Sequence, residues 1–409
     1  MGFNPLQMNA EKFYDLLLHL DDNWEVKEIT TNLKAQEIDV YVKYVGKSAK
    51  DPATQEMFPI YDHRENRRWR HLNTLEYKTW INCCVPRIKN SSGNVKTIEV
   101  PWAEDSARFT FLFERFVIDL LQATKNQRQT AALVDCGYNI VNRILHRASQ
   151  RGMQRRRKDY PIHHLSIDEK SFQRGHRYIT VLSDPLGDRV IDVADGRDKK
   201  ACEELINSAL SKKQKASIST VSMDMWKAYM NVTTEQMPQA EIIHDKFHLI
   251  KYLTEAIDKV RRREVKEHEE LKNTRYTLLK NKMNLTDKQK IKFEAIKAGN
   301  YEVCKAWGVR ENFKYLFAER TKQHAFTLFG QWCSDALRVK INEVTKIVEM
   351  FKNHLNGVIN AMVRTLNNAM AERLNGKIQI LKTVGRGYRT FLNFRSAILF
   401  FHGDLDLYP

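Results

Sequence analysis

Three carboxylates have types and settings suited to chemistry: Asp168 closing the apolar run HHLSID, Asp224 closing ISTVSMD, and Glu372 inside the helical stretch LNNAMAERLNGKI. Glu372 is the only acid among the 54 residues between Glu349 and Asp404, which also hold eight Lys and Arg. Three acids shared by two hard cations leave coordination positions open for phosphate oxygens and a nucleophile. Two Mg²⁺ (or Mn²⁺) ions roughly 3.5–4 Å apart can activate an attacking oxygen and stabilise a leaving one. The setting is basic: 67 Lys and Arg oppose 50 Asp and Glu, giving +17 and a pI near 9.5. Acids that gather cations in a chain that attracts polyanions match what phosphoryl transfer on nucleic acid requires.

Each acid also has a bland reading. Asp at a strand end commonly starts a turn, whereas at the edge of an open sheet it stands where ligands bind. On a helical wheel Leu366, Met370, Leu374, Ile378 and Leu381 form an apolar stripe, with Asn368, Glu372, Asn375 and Gln379 on the opposite strip. That geometry suits a solvent-facing Glu372 equally well.

The elements that must position these acids follow from periodicity. Residues 1–108 read as a small mixed module in which IDVYVKYV alternates, YKTWINCCV is a strand candidate, and Trp69 and Trp102 are core anchors. Residues 109–158 read as helices broken at Gly137, the spacing of a helix-turn-helix. From 159 to 248 come three successive strands (164–168, 178–183, 189–193), then a helix, a strand to Asp224, a short helix and a strand to His244. That order predicts an α/β fold with a mixed sheet covered by helices. Residues 249–355 are charged and helical, read as an insertion, and 356–409 return to the core with the Glu372 helix.

In the second helix of the helix-turn-helix-like segment, Ile140, Val141, Ile144, Leu145 and Ala148 form the core face. Asn139, Asn142, Arg143, His146 and Arg147 form the other, as on a recognition helix or on any amphipathic one. The runs holding Arg67, Arg68 and Arg70, Arg155, Arg156 and Arg157, and Arg261 to Arg263 are phosphate-contact candidates, though charge runs are more often solvated faces. No apolar run is long enough to cross a bilayer, and the start lacks a signal-like basic and apolar succession. Six cysteines without a CxxC pair suggest reduced thiols in a cytosol. The expected location is the cytoplasm.

The stretches SIDEKSFQRGHRYITVLSD, GRD at 196–198, SMDMWKAY, IIHDKFHLIKYL with VRRRE, and NNAMAERLNGKIQILKTVGRGYRTFLNFR resemble, in this order, the DDE transposases of bacterial insertion sequences of the ISL-three group. The resemblance implies an RNase H-like catalytic fold with Asp168, Asp224 and Glu372 as its triad and metal ligands. It implies hydrolysis at the terminal inverted repeats of an element, attack of the freed 3′-hydroxyls on target DNA, and at least a homodimer on paired ends. His244, Asp245 and His248 have a spacing that would also suit one transition-metal site, but a DxxH pair recurs in related enzymes, and by the same resemblance Asp245 and His248 have an accessory role. The N-terminal stretches YDHRENRRWRHL and VPWAEDSARFTFLFE match the family too, but its zinc-ligand positions fall here on Asp51, Thr54, Asn90 and Gly93, so a zinc-free module is expected. The rival readings are a catalytically silent DNA-binding regulator and an RNase H-like nuclease without strand transfer.

Overall fold

The alternating stretch IDVYVKYV and the apolar run around Trp80 both become strands in the computed structural model, and they pair with each other, Val40 opposite Ile81. The structure describes residues 9–173, 177–280, 282–317, 321–363 and 365–409, the side chains of 282 and 365–372 lying outside that set. It divides into two compact units, Met1–Gln154 with Asp406–Pro409, and Arg155–Leu405. Among the described residues no helix is long and apolar enough to cross a membrane.

The first unit opens with α1 (Ala10–Leu17) and the strands β1 (Trp24–Asn32), β2 (Glu37–Tyr44), β3 (Ser48–Lys50), β4 (Met57–His63), β5 (Arg67–Arg70), β6 (Lys78–Cys83), β7 (Pro86–Lys89) and β8 (Val95–Thr97). They form two four-stranded sheets, in the orders β1-β2-β6-β5 and β3-β4-β7-β8. Trp69 and Trp102 are core anchors, 0% and 2% exposed. Their rings meet edge to face at 5.6 Å, and Trp24 adds a third ring 5.1 Å from Trp102; such pairs add roughly 0.5–1.5 kcal/mol beyond area burial.

Three helices follow, α2 (Phe111–Thr124), α3 (Gln127–Leu133) and α4 (Tyr138–Arg155). Thr110 caps α2 and Asn126 caps α3, each side chain accepting from N–H groups that a helix start leaves unpaired. Val141, Ile144, Leu145 and Ala148 of α4 are fully buried, the face expected from a 3.6-residue period, while Ile140 is only half-buried. Residues 406–409 clasp this unit. Leu407 is buried and its carbonyl accepts from Arg151 at 2.7 Å, and the Tyr408 hydroxyl lies 2.6 Å from Asp119.

The second unit holds one five-stranded sheet in the order β11-β10-β9-β12-β13, from β9 (His164–Gln173), β10 (Arg177–Asp184), β11 (Arg189–Asp195), β12 (Thr220–Met223) and β13 (Glu241–His244). The first three are antiparallel, whereas β9, β12 and β13 run parallel. This is a mixed sheet in a mixed α/β unit. One face buries Leu165, Ile167, Leu182, Val221 and Met223 against α5 (Lys199–Ala209) and α7 (Lys227–Gln236), through Cys202, Leu205, Ile206 and Tyr229. Short α6 (Lys212–Ser217) lies between them in the chain.

Beyond β13 the chain becomes helical: α8 (Lys246–Glu264), α9 (Arg275–Leu279), α10 (Asp287–Ala298), α11 (Glu302–Lys314), α12 (Lys322–Arg338) and α13 (Asn342–Asn353). These helices share a core that includes Leu253, Val260, Phe313, Phe329, Trp332 and Phe351. The one polar atom of Trp332 is satisfied there, its indole N–H donating to the Val309 carbonyl at 2.9 Å. The chain then returns through α14 (Leu355–Val363), α15 (Thr365–Val384) and α16 (Phe391–His402). α14 covers edge strand β13, where the Asn360 amide donates to the Ile242 carbonyl at 2.9 Å. That closes an edge otherwise open to stray pairing.

Candidate functional site

Strand register brings the acids together. Met223 of β12 pairs with Ile167 of β9 on one side and with His244 of β13 on the other, all three strands parallel. One residue further along stand Asp168, still inside β9, and Asp224 and Asp245, just past the ends of β12 and β13, so backbone register sets the three acids level, although among the described residues no three His, Cys, Asp or Glu side chains are grouped closely enough to hold a metal. Neighbouring strands lie roughly 4.8 Å apart, close enough for adjacent acids to share a cation. At β12 and β13 the apolar residues fix the register and the acid follows where the strand ends, whereas β9 runs on to Gln173 and keeps Asp168 buried within it, a longer strand than the apolar run alone predicts.

Asp168 is 7% exposed. Its Oδ1 accepts the Glu169 N–H at 2.9 Å. The Lys170 ammonium stands 2.8 Å from Oδ2 but out of line for a hydrogen bond, so that buried oxygen keeps an unsatisfied lone pair. A buried acceptor of this kind is what a bound cation would complete. Asp224 Oδ1 accepts the Met225 N–H at 2.6 Å and the Tyr252 hydroxyl at 3.2 Å. Burial and then the Asp224 carboxylate push the Tyr252 phenol up, which keeps it a neutral donor. Asp245 caps α8 by accepting the Phe247 N–H at 2.7 Å, and its other oxygen lies 3.5 Å from Nδ1 of His248. Burial pulls the His248 imidazole down, but the Asp245 contact and the charges of Asp224 and Asp168 outweigh it and set the ring above its ordinary value. The accessory pair thus lies in the same electrostatic field as the two aspartates.

Glu372 lies in α15, and its side chain is outside the described residues. The rest of that helix shows which way it is seated. Leu374, Ile378 and Leu381 are buried and Gln379 is exposed, as the helical wheel has them. Arg373 and Lys377 both reach Asp188 in the β10–β11 turn, and Lys382 donates to the Ser171 carbonyl of β9 at 2.6 Å. Helix α16 packs on the face of the sheet that Asp168 shares: Phe172, four residues on from Asp168, stacks on Phe394 at 5.6 Å.

The basic candidates divide by environment. Asn139, Arg143, Arg155 and Arg157 are exposed, Arg157 in a 2.6 Å pair with Asp159. Asn142 and Arg147 are half-buried, and Arg147 is joined to Glu104. Arg67 donates to the Ala107 carbonyl at 3.0 Å, and Arg68 is held by Asp39 and Glu37 while lying over Trp80. Arg70 departs from the sequence reading. It is 2% exposed, with its guanidinium committed to the His71 carbonyl and Asn73, so it braces the module and does not face a phosphate. Arg156 is likewise committed to the carbonyls of Ile191, Val190 and Gly403.

At the positions where a zinc-binding pattern falls, Asp51 is fully buried and accepts from the Asn90 amide at 3.2 Å and the Lys96 ammonium at 2.9 Å. The Ala53 N–H and then Lys96 bring its carboxyl down to about 2. A lysine therefore supplies the positive charge that ties these two loops.

Sequence reasoning did not find Lys170, Tyr252 or the cation–aromatic stack of Arg197 with Tyr178 and Trp226. Tyr252 had a signal: it follows Asp245 and His248 at helical spacing, seven and four residues on.

A family model described as "Transposase" matches residues 165–398. A second, "Helix-turn-helix domain of transposase family ISL3", matches residues 98–149. The chain is 28% identical over 346 residues to the transposase for insertion sequence element IS1001 of Bordetella parapertussis, covering 81% of this chain and 84% of that one. It is 26% identical over 352 residues to the transposase for insertion sequence element IS1557 of Mycobacterium tuberculosis, covering 79% of each. A solved simian T-cell lymphotropic virus intasome chain aligns at 14% identity over 42% of this chain and 70% of its own, with a TM-score of 0.17, too loose to speak for the fold.

Proposed function

Because the chain belongs to transposase family ISL3, we propose that Asp168, Asp224 and Glu372 together form its catalytic site, cutting and joining DNA at the terminal inverted repeats of its insertion sequence. The observation that carries this reading is the register that sets Asp168, inside β9, level with Asp224, just past the end of the adjacent parallel strand β12. The unsatisfied buried oxygen of Asp168 fits a cation there. The strand order, three antiparallel strands followed by two parallel ones, supports an RNase H-like core.

Bound Mg²⁺ or Mn²⁺ supplies activation of the attacking oxygen and stabilisation of the leaving one in an in-line displacement at phosphorus. The chain's own residues do the rest. Asp168, Asp224 and Glu372 would hold the cations. Tyr252 fixes the Asp224 carboxylate through its hydroxyl, and Asp245 with His248 sets the charge beside it. The Lys170 ammonium, 2.8 Å from Asp168, offsets the charge of that carboxylate. Exposed Asn139 and Arg143 of α4 are the contacts proposed for the end sequence, and Arg155 and Arg157 for its backbone. Two ends processed in one complex call for two copies of the chain. The Asp51, Asn90 and Lys96 network supports a first module that holds its loops without zinc.

Purified protein supplied with the DNA flanking its gene and Mg²⁺ is expected to give cut and joined products. Asp168→Asn, Asp224→Asn and Glu372→Gln should each lower cleavage by about three orders of magnitude or more while DNA binding persists. Nicks without joining would support the nuclease reading. Binding with no cleavage by the wild type would support the regulator.

A further inference from the structure

The carboxyl edge of the sheet carries aromatic surface as well as acids. Asp-x-aromatic occurs on two neighbouring strand ends, Asp224-Met225-Trp226 and Asp245-Lys246-Phe247, and the pairing of Met223 with His244 sets the two triplets level. Trp226 caps α7 and Phe247 lies in the first turn of α8. Trp226 is 40% exposed and Phe247 60%, whereas Met225, Ile243 and Leu249 around them are buried. Each joint is pinned by its own acid, Asp224 to the Met225 N–H and Asp245 to the Phe247 N–H. The indole is further fixed by donating to the Arg197 carbonyl at 2.9 Å. Arg197 lies over Trp226 at 4.8 Å and over Tyr178 at 4.3 Å, and is held at 2.9 Å by Glu169, the neighbour of Asp168.

Exposed apolar side chains scattered singly need no explanation. Two aromatic rings held outward at one level beside an acid cluster, one of them backed by an ordered guanidinium, make a site for something with a flat face and a negative charge. A nucleotide has both. Bases inside a duplex are already stacked on one another, so a protein ring can take their place only for a base that has left the helix. Resting on the reading that the acids act on DNA, we infer that Trp226 and Phe247 stack on unpaired bases at the DNA end, with Arg197 on the adjoining phosphate. The enzyme therefore acts on locally opened DNA, whose freed backbone can approach the buried Asp168 more closely than a stiff duplex does. A guanidinium has five donors, so Arg197 serves a phosphate without leaving Glu169.

The test uses two DNAs of one sequence, taken from the region flanking the gene: a blunt duplex, and the same duplex forked at its end with 2-aminopurine as the first unpaired base. Binding is measured in Ca²⁺, an oxygen-seeking cation of looser geometry than Mg²⁺. The wild type should bind the fork about tenfold tighter than the blunt duplex, within what base–aromatic stacking supplies, and 2-aminopurine emission should fall as the base stacks. Trp226→Ala and Phe247→Ala should each lose most of that preference, while Trp226→Phe keeps it. Unchanged affinity for the blunt duplex would show that the variants remain folded. Equal affinity of the wild type for both DNAs, or a fork preference that survives the double alanine variant, overturns the inference. Fork preference in a protein that never cuts with Mg²⁺ would instead sink the catalytic reading and leave the stacking site standing.

Discussion

His71 and Asp51 give the first unit a dependence on pH. His71 is 2% exposed, its Nδ1 2.9 Å from the Thr110 hydroxyl, and burial, aided by the Arg70 charge, brings it from 6.5 to about 4. Above pH 6.5 it is neutral in folded and unfolded chains alike. Between 6.5 and 4 only the unfolded chain takes the proton, so stability falls as pH falls through that window, by on the order of 3 kcal/mol in all. Asp51 adds a second loss lower down, since the unfolded carboxyl protonates near 3.8 and the folded one near 2. Urea unfolding at neutral pH and at pH 4 should show the first loss, and His71→Gln should flatten it. A wild-type midpoint unchanged across that range would refute the assignment. At this scale Asp168 and Asp224 were legible because each closes an apolar run, although β9 continues past Asp168 to Gln173. Lys170, Tyr252 and the Arg197 stack were not, because their meaning lies in contacts across space.

Helix α14 reaches β13 closely at Gly357. A Cβ there would stand 2.5 Å from the imidazole of His244, which is 2% exposed, so that ring would have to shift. Gly357→Ala should destabilise the second unit by about 1–3 kcal/mol, the usual cost of overpacking. Because His244 precedes Asp245, cleavage should fall along with the thermal midpoint, and a variant with an unshifted midpoint would count against this packing. Strand and helix order from His164 to His244 could be read from periodicity, and so could the buried stripe of α15. The partners could not: β2 pairs in parallel with β6 from well along the chain, and α14 closes a sheet edge left more than a hundred residues earlier. Alternation gives a strand its faces but says nothing of its neighbour.

Across the whole molecule the charge of +17 makes association with DNA steeply dependent on salt. On duplex DNA each phosphate neutralised contributes roughly 0.9 to the slope of log K against log salt. Replacing Arg143, Arg155 and Arg157 together should flatten that slope by about 2.7 if each touches one phosphate, and a slope left unchanged would remove them from the interface. The clasp of residues 406–409 on the first unit has a consequence in time. A ribosome releases the helix-turn-helix early, yet Leu407 and Tyr408 reach Arg151 and Asp119 only after the whole of 155–405 has been translated. The segment that matches a DNA-reading domain is thus fully braced only in a copy that also carries every acid, and a message broken off midway yields a product lacking the clasp and Glu372.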